Sequence, residues 1–175
     1  MDRYWREQLG ELAKHRGVAW VGIFGNAGGD GDVAGCAVVR RHGALRRKDG
    51  SGWWCVYLGV PAKYEASLRE LDTNGDIHGG ITFSTLSGME EAEQSRPPAW
   101  APLELKGFCW IGWDYAHAGD FTGHVEDDDG KSWSLEEIVE QELKGAVSQL
   151  RIGSWPLARG LEGRVVSPRE WVYGR

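Results

Sequence analysis

Three things are scarce in this sequence: long apolar runs, net positive charge and cysteine. No apolar run approaches the roughly 20 residues that a membrane-spanning helix needs. The opening segment, MDRYWREQLGELAKHRG, is charged along its length and lacks the apolar core of a secretory signal. A protein kept in the cytoplasm, or in the host cytoplasm if phage-encoded, is therefore expected. Lys and Arg number 20 against 26 Asp and Glu, a formal net charge of −6. General nucleic-acid binding needs a basic field, and the overall charge excludes it, though not a local basic pocket for a small anion. Cys36, Cys55 and Cys109 are an odd number at long spacings, each in an apolar, strand-like run. That pattern fits buried thiols better than a disulfide framework or a zinc knuckle.

Recognised ligand-binding signatures are missing as well. The glycine-rich run GNAGGDGDVAG, 25–35, follows a strand-like segment but has neither a Gly-Lys-Ser/Thr ending nor G-x-G-x-x-G spacing, so it reads as a hairpin loop. The acidic run HVEDDDG, 124–130, lacks the alternating ligands and distal glutamate of a calcium loop, and reads as a turn ahead of a helix.

What is present is size, glycine and tryptophan. A chain of 175 residues buries roughly 70% of its unfolded surface and suits one domain, 1–175. Its 26 glycines imply many turns and close backbone approaches, and its 10 tryptophans imply a wide aromatic core or a flat-ring ligand.

Periodicity and turn chemistry predict a helix over 2–15 and strands over 18–24, 36–41 and 53–60. A short helix follows over 62–71, opened by Pro61, then strands over 77–86 and 108–116. The polar stretches 87–107 and 117–133 read as loops. SLEE is a capping box, with Ser134 as N-cap and Glu137 at the third helical position. Leu135, Ile138, Val139, Leu143, Ala146, Val147 and Leu150 then mark one face of a helix of about four turns. The tail 164–175 adds a short edge strand, limited by Pro168. The elements do not alternate strictly, and several links are short enough for hairpins. The expected fold is α+β, a mostly antiparallel central sheet of about five strands with two or three packing helices.

Two segments carry chemistry. In GDIHGG, 75–80, Asp76 and His78 are two apart, which in a strand puts them on one face. In WIGWDYAHAGD, 110–120, Asp114, His117 and Asp120 follow an apolar strand, where a rigid element positions a loop. Asp, His and Asp can ligate a divalent metal or form an acid/base set. If the fourth and fifth strands pair, His78 and His117 converge near one sheet end; the alternative is that each histidine stabilises its own turn. The basic run RRHGALRRKDG, 40–50, reads as a solvated hairpin tip or as a contact for an anion or acidic partner.

GDIHG resembles the first motif of calcineurin-like metallophosphatases, but the later G-D-x-x-D and G-N-H-[DE] motifs are missing. A closer resemblance runs through WWCVYLGVPAKY, DIHGGITFS and WIGWDYAHAGD. These blocks are similar to a family of small proteins of bacteriophages and their bacterial hosts, with H-G-G-[LI]-T-[FY] and W-x-[GF]-[FW]-D-[CY]-[AS]-H-x-G-D patterns. The resemblance covers about residues 53–120. His78, Gly79, Gly80, Thr82, Asp114, His117, Gly119 and Asp120 match it, and Tyr115 stands where cysteine is common, which puts cysteine chemistry there in doubt. It implies a phage or prophage origin and a site, but no reaction.

Three functions follow as expectations. The first is binding of a small anionic or nucleotide-like ligand, countering host defence or signalling. His78 and His117 would line that pocket, and Gly79, Gly80, Thr82, Trp110 and Trp113 would contact the ligand, with ring stacking from the tryptophans; in a catalytic reading His78, His117, Asp114 and Asp120, with Asp76 as a further metal ligand, would do the chemistry. The second is a hydrolase or phosphodiesterase using one divalent metal or a histidine acid/base pair. The third is an inhibitor or scaffold that contacts a host protein through the 87–107 loop.

Overall fold

The structure is a computed structural model and describes residues 11–12, 18–27, 33–42, 53–71, 77–86, 107–116, 124–126 and 132–158. Its centre is a five-stranded sheet in the order β1-β2-β3-β5-β4, antiparallel at every pairing. The strands are β1 (Val18–Gly25), β2 (Val33–His42), β3 (Trp53–Pro61), β4 (Phe83–Ser84) and β5 (Phe108–Asp114). After β3, Pro61 leads into a 3-10 turn, Ala62–Tyr64, and a short helix α1, Glu65–Arg69. A small hairpin, β6 (His124–Glu126) with β7 (Ser132–Ser134), precedes helix α2 (Leu135–Gln149). A second hairpin, β8 (Arg151–Ile152) with β9 (Trp155–Pro156), closes the described chain. The fold is α+β, as expected from the sequence. No helix among the described residues is long and apolar enough to cross a membrane.

Both faces of the sheet are buried, as the apolar β2, β3 and β5 sequences require. On one face Val39, Val56, Leu58 and Ile111 pack with Leu68 of α1, with Leu143, Ala146 and Val147 of α2, and with Leu150 just past its end. Those α2 positions recur at helical spacing, and each is fully buried. Each of the larger ones contributes about 1.5–3 kcal/mol of apolar burial. On the other face Val21, Cys36, Val38, Tyr57 and Trp110 pack around Leu12, which belongs to the first expected helix. The rest of that helix and the tail strand lie outside the described residues.

The glycine and tryptophan excess is partly explained inside the sheet. Three strand glycines sit directly opposite an aromatic: Gly35 opposite Phe24, Gly59 opposite Trp110, and Gly112 opposite Tyr57. A Cβ on Gly59 would come within 2.6 Å of the Trp110 ring, and one on Gly35 within 2.2 Å of the Phe24 ring. The rings lie across the bare backbone of the neighbouring strand, an arrangement that pins register. Tyr57 also meets Phe83 edge-on, ring centroids 5.3 Å apart, which ties the two-residue edge strand β4 to the sheet.

Several elements differ from expectation. The strand expected over 36–41 begins at Val33, inside the glycine-rich run. The helix expected over 62–71 is a 3-10 turn followed by five α-helical residues. The loop expected over 117–133 contains β6 and the start of β7. Arg40 and Arg41, which the basic run 40–50 shares with the strand expected over 36–41, belong to β2 as that strand predicts. The β8–β9 hairpin was not anticipated, yet its two-residue Gly153–Ser154 loop is a recognisable signal. Gly153 has φ 58°, as the first position of a type II′ turn demands.

Candidate functional site

The expected strand over 77–86 is mostly a turn. Gly79 and Gly80 have φ of 66° and 81°, left-handed values that glycine alone adopts readily. The Gly80 N–H donates to the Ile77 carbonyl at 3.1 Å, closing the turn. Ile77 is buried in the helix-side core and Ile81 packs against it, so apolar residues anchor both ends of HGG. The extended geometry that would have put Asp76 and His78 on one face is therefore not there: a turn carries His78. Asp76 lies outside the described residues.

The turn lays His78 on Tyr115. The two rings are stacked, centroids 4.7 Å apart and planes 15° from parallel. His78 is half-buried, whereas Tyr115 is buried in the helix-side core. The Tyr115 backbone N–H donates to the Trp54 carbonyl at 2.9 Å, extending the β3–β5 ladder one residue past β5. The Tyr115 hydroxyl donates to Glu142 Oε2 of α2 at 2.5 Å and accepts from Trp113 Nε1 at 3.4 Å. A tyrosine that the β5 end orients and α2 grips is thus the platform for the histidine.

Asp114 turns the other way. Successive strand residues alternate in face, and Asp114 belongs to the Tyr57 face. Its charge is among the influences that raise the Tyr57 hydroxyl, after burial and the neighbouring Cys55, while Arg40 pulls that hydroxyl down. Arg40, Cys55 and Asp114 lie directly opposite one another in one row across β2, β3 and β5. Burial lowers the Arg40 guanidinium pKa, against the pull of Tyr57 and Cys55. Asp114 Oδ2 accepts from the Thr82 hydroxyl at 2.8 Å, and Oδ1 accepts from the Ala116 N–H at 3.1 Å. Both oxygens therefore have local partners that hold the chain on either side of β5's end.

The structure brings together His78, Gly79 and Gly80 with Tyr115, and separately Thr82 with Asp114. His117 and Asp120, the two later members of the histidine acid/base or metal set, lie outside the described residues. Among the described residues no group of three or more His, Cys, Asp or Glu side chains could hold a metal ion. Trp110 and Trp113, expected to stack on a ligand, are core side chains with 0% and 1% exposure. Their size and apolar neighbours place them inside, and neither ring has a face open to solvent. The three cysteines are buried and none is in a disulfide. Burial pushes the Cys36 thiol up to about 12, and burial with the nearby Glu65 raises Cys109. Neither is a thiolate nucleophile near neutral pH.

Tyr115 and Glu142 were not among the residues singled out from the sequence. Tyr115 left one signal, as an aromatic directly after the apolar run FCWIGWD. Glu142 left another, as a carboxylate immediately before the buried Leu143 on the inward side of α2. No protein-family model, curated protein or solved structure matches this chain.

Proposed function

We propose that the chain binds a small anionic or nucleotide-like ligand at the His78–Gly79–Gly80 turn on the β4 edge of the sheet. The observation that carries this reading is the half-buried imidazole held flat on Tyr115 beside two consecutive left-handed glycines. A planar ring supported from behind is a stacking surface for a base. Gly79, exposed and lacking a Cβ, leaves its backbone open to close approach by an anion. Asp114, whose negative charge would repel an anion, lies on the opposite face of the sheet. The resemblance to phage proteins would place such binding in the host cytoplasm, directed against host defence or signalling.

Calorimetric titration of the protein with AMP, adenosine and inorganic phosphate tests this. AMP is expected to bind, and His78→Ala to weaken it at least about fivefold, the lower end of what one stacked base contributes. Absence of binding by all three compounds, or unchanged AMP affinity in a folded His78→Ala variant, overturns the proposal.

A further inference from the structure

A side chain of α2 reaches the ligand turn through one intermediary. Glu142 accepts the Tyr115 hydroxyl proton in a hydrogen bond at 2.5 Å, and the Tyr115 ring carries His78 on its face. Trp113, fully buried, donates to the same hydroxyl oxygen, so two elements fix where the phenol points. A charge-assisted bond of this kind is shorter and stronger than a neutral one. The Tyr115 ring plane determines the plane of whatever stacks on it.

We propose that Glu142 is a positioning residue of the ligand site. From α2 it holds the Tyr115 hydroxyl and so sets the pose in which His78 is presented. The inference rests on the His78 turn being the ligand site, and it makes α2 part of that site's machinery instead of only a wall of the core. Without the Glu142 acceptor, the Tyr115 ring and the imidazole gain freedom that ligand binding must remove again. Reordering one such side chain weakens binding about two- to tenfold.

The test compares Tyr115→Phe, Glu142→Ala and Glu142→Gln by NMR of the His78 ring in the unliganded protein, with AMP affinity as a second readout. In the parent protein the His78 ring protons are expected upfield, shifted by the Tyr115 ring current. In Glu142→Ala and Tyr115→Phe that displacement shrinks, while Glu142→Gln, which keeps a carbonyl acceptor, restores most of it. A purely structural Glu142 would lower the melting temperature and leave the His78 signals in place, and that result overturns the proposal. Equal loss in Glu142→Gln and Glu142→Ala overturns it too. If the parent protein binds no AMP, the ligand reading fails, and the NMR comparison still decides the role of Glu142.

Discussion

Replacing Gly59 with alanine gives the sharpest check of the sheet that presents the site. Gly59 lies opposite Trp110 in the β3–β5 pairing. An alanine Cβ would stand 2.6, 2.7 and 2.9 Å from Cζ3, Cε3 and Cδ2 of the indole. Carbon atoms in good contact are about 3.5–4.0 Å apart, so about 1 Å of movement is required. Trp110 has no exposure and packs against Phe108, ring centroids 5.9 Å apart, so the indole has no solvent to swing into. Overpacking of this kind costs about 1–3 kcal/mol. Replacing a strand glycine by alanine returns about 0.5–1 kcal/mol of chain entropy. The net loss is about 1–2 kcal/mol, or about 2–8 °C in melting temperature for a chain of this size. Thermal melts followed by circular dichroism measure it. Gly145→Ala is the control: Gly145 lies in α2 with nothing within 4 Å of an added Cβ, and there alanine is expected to raise stability by about 0.5–1 kcal/mol. A Gly59→Ala protein as stable as the parent would mean that the Trp110 ring does not lie over that backbone, and the aromatic–glycine account of the register would fall.

Two further perturbations probe the core thiol and the exposed hairpin. The Cys36 thiol is raised from 9.0 to about 12 by burial, so between those values the unfolded chain releases a proton that the folded chain keeps. Its contribution to stability is whole below pH 9 and is lost progressively as the pH rises from there toward about 12. The stability gap between the parent and Cys36→Ala in urea melts should therefore narrow by roughly 1 kcal/mol from pH 7 to pH 10, and a constant gap would refute the burial assigned to this thiol. At the other extreme, Trp155 on the last hairpin is 75% exposed. Trp155→Ser is expected to change stability by less than about 0.5 kcal/mol; a loss above about 1 kcal/mol would contradict that exposure.

The parts of the fold that could be read from the sequence are those whose pattern is set by burial on their own element. VAWVGIF, WWCVYLGV and FCWIGWD are continuous apolar runs because both faces of their sheet are covered, and they became β1, β3 and β5. The α2 stripe was legible for the same reason. ITFS was harder, because β4 is an edge strand of two residues and its sequence signal merges with the turn before it. The pairing of His78 with Tyr115 was not legible, since it joins residues 37 positions apart through a turn with two left-handed glycines, which strand alternation does not anticipate. The burial of Trp110 and Trp113 was equally hidden: a tryptophan on a strand reads alike as core or as ligand platform until the opposite layer is known.

The local contacts also bear on the proposal that HGG, and not the strand after it, carries the function. The edge segment is fastened on its sheet side by Thr82 N–H to Gly112 O, Thr82 Oγ1 to Asp114 Oδ2, and Thr85 N–H to Trp110 O, at 2.8–2.9 Å each. It is fastened on its core side by the buried Ile77 and Leu86. These attachments bracket residues 78–80, a turn on a scaffold that fixes where it stands. Packing against Tyr115 alone would be served by any flat or aliphatic side chain. An imidazole there adds two nitrogens able to donate or accept a hydrogen bond, in a residue that stays half exposed.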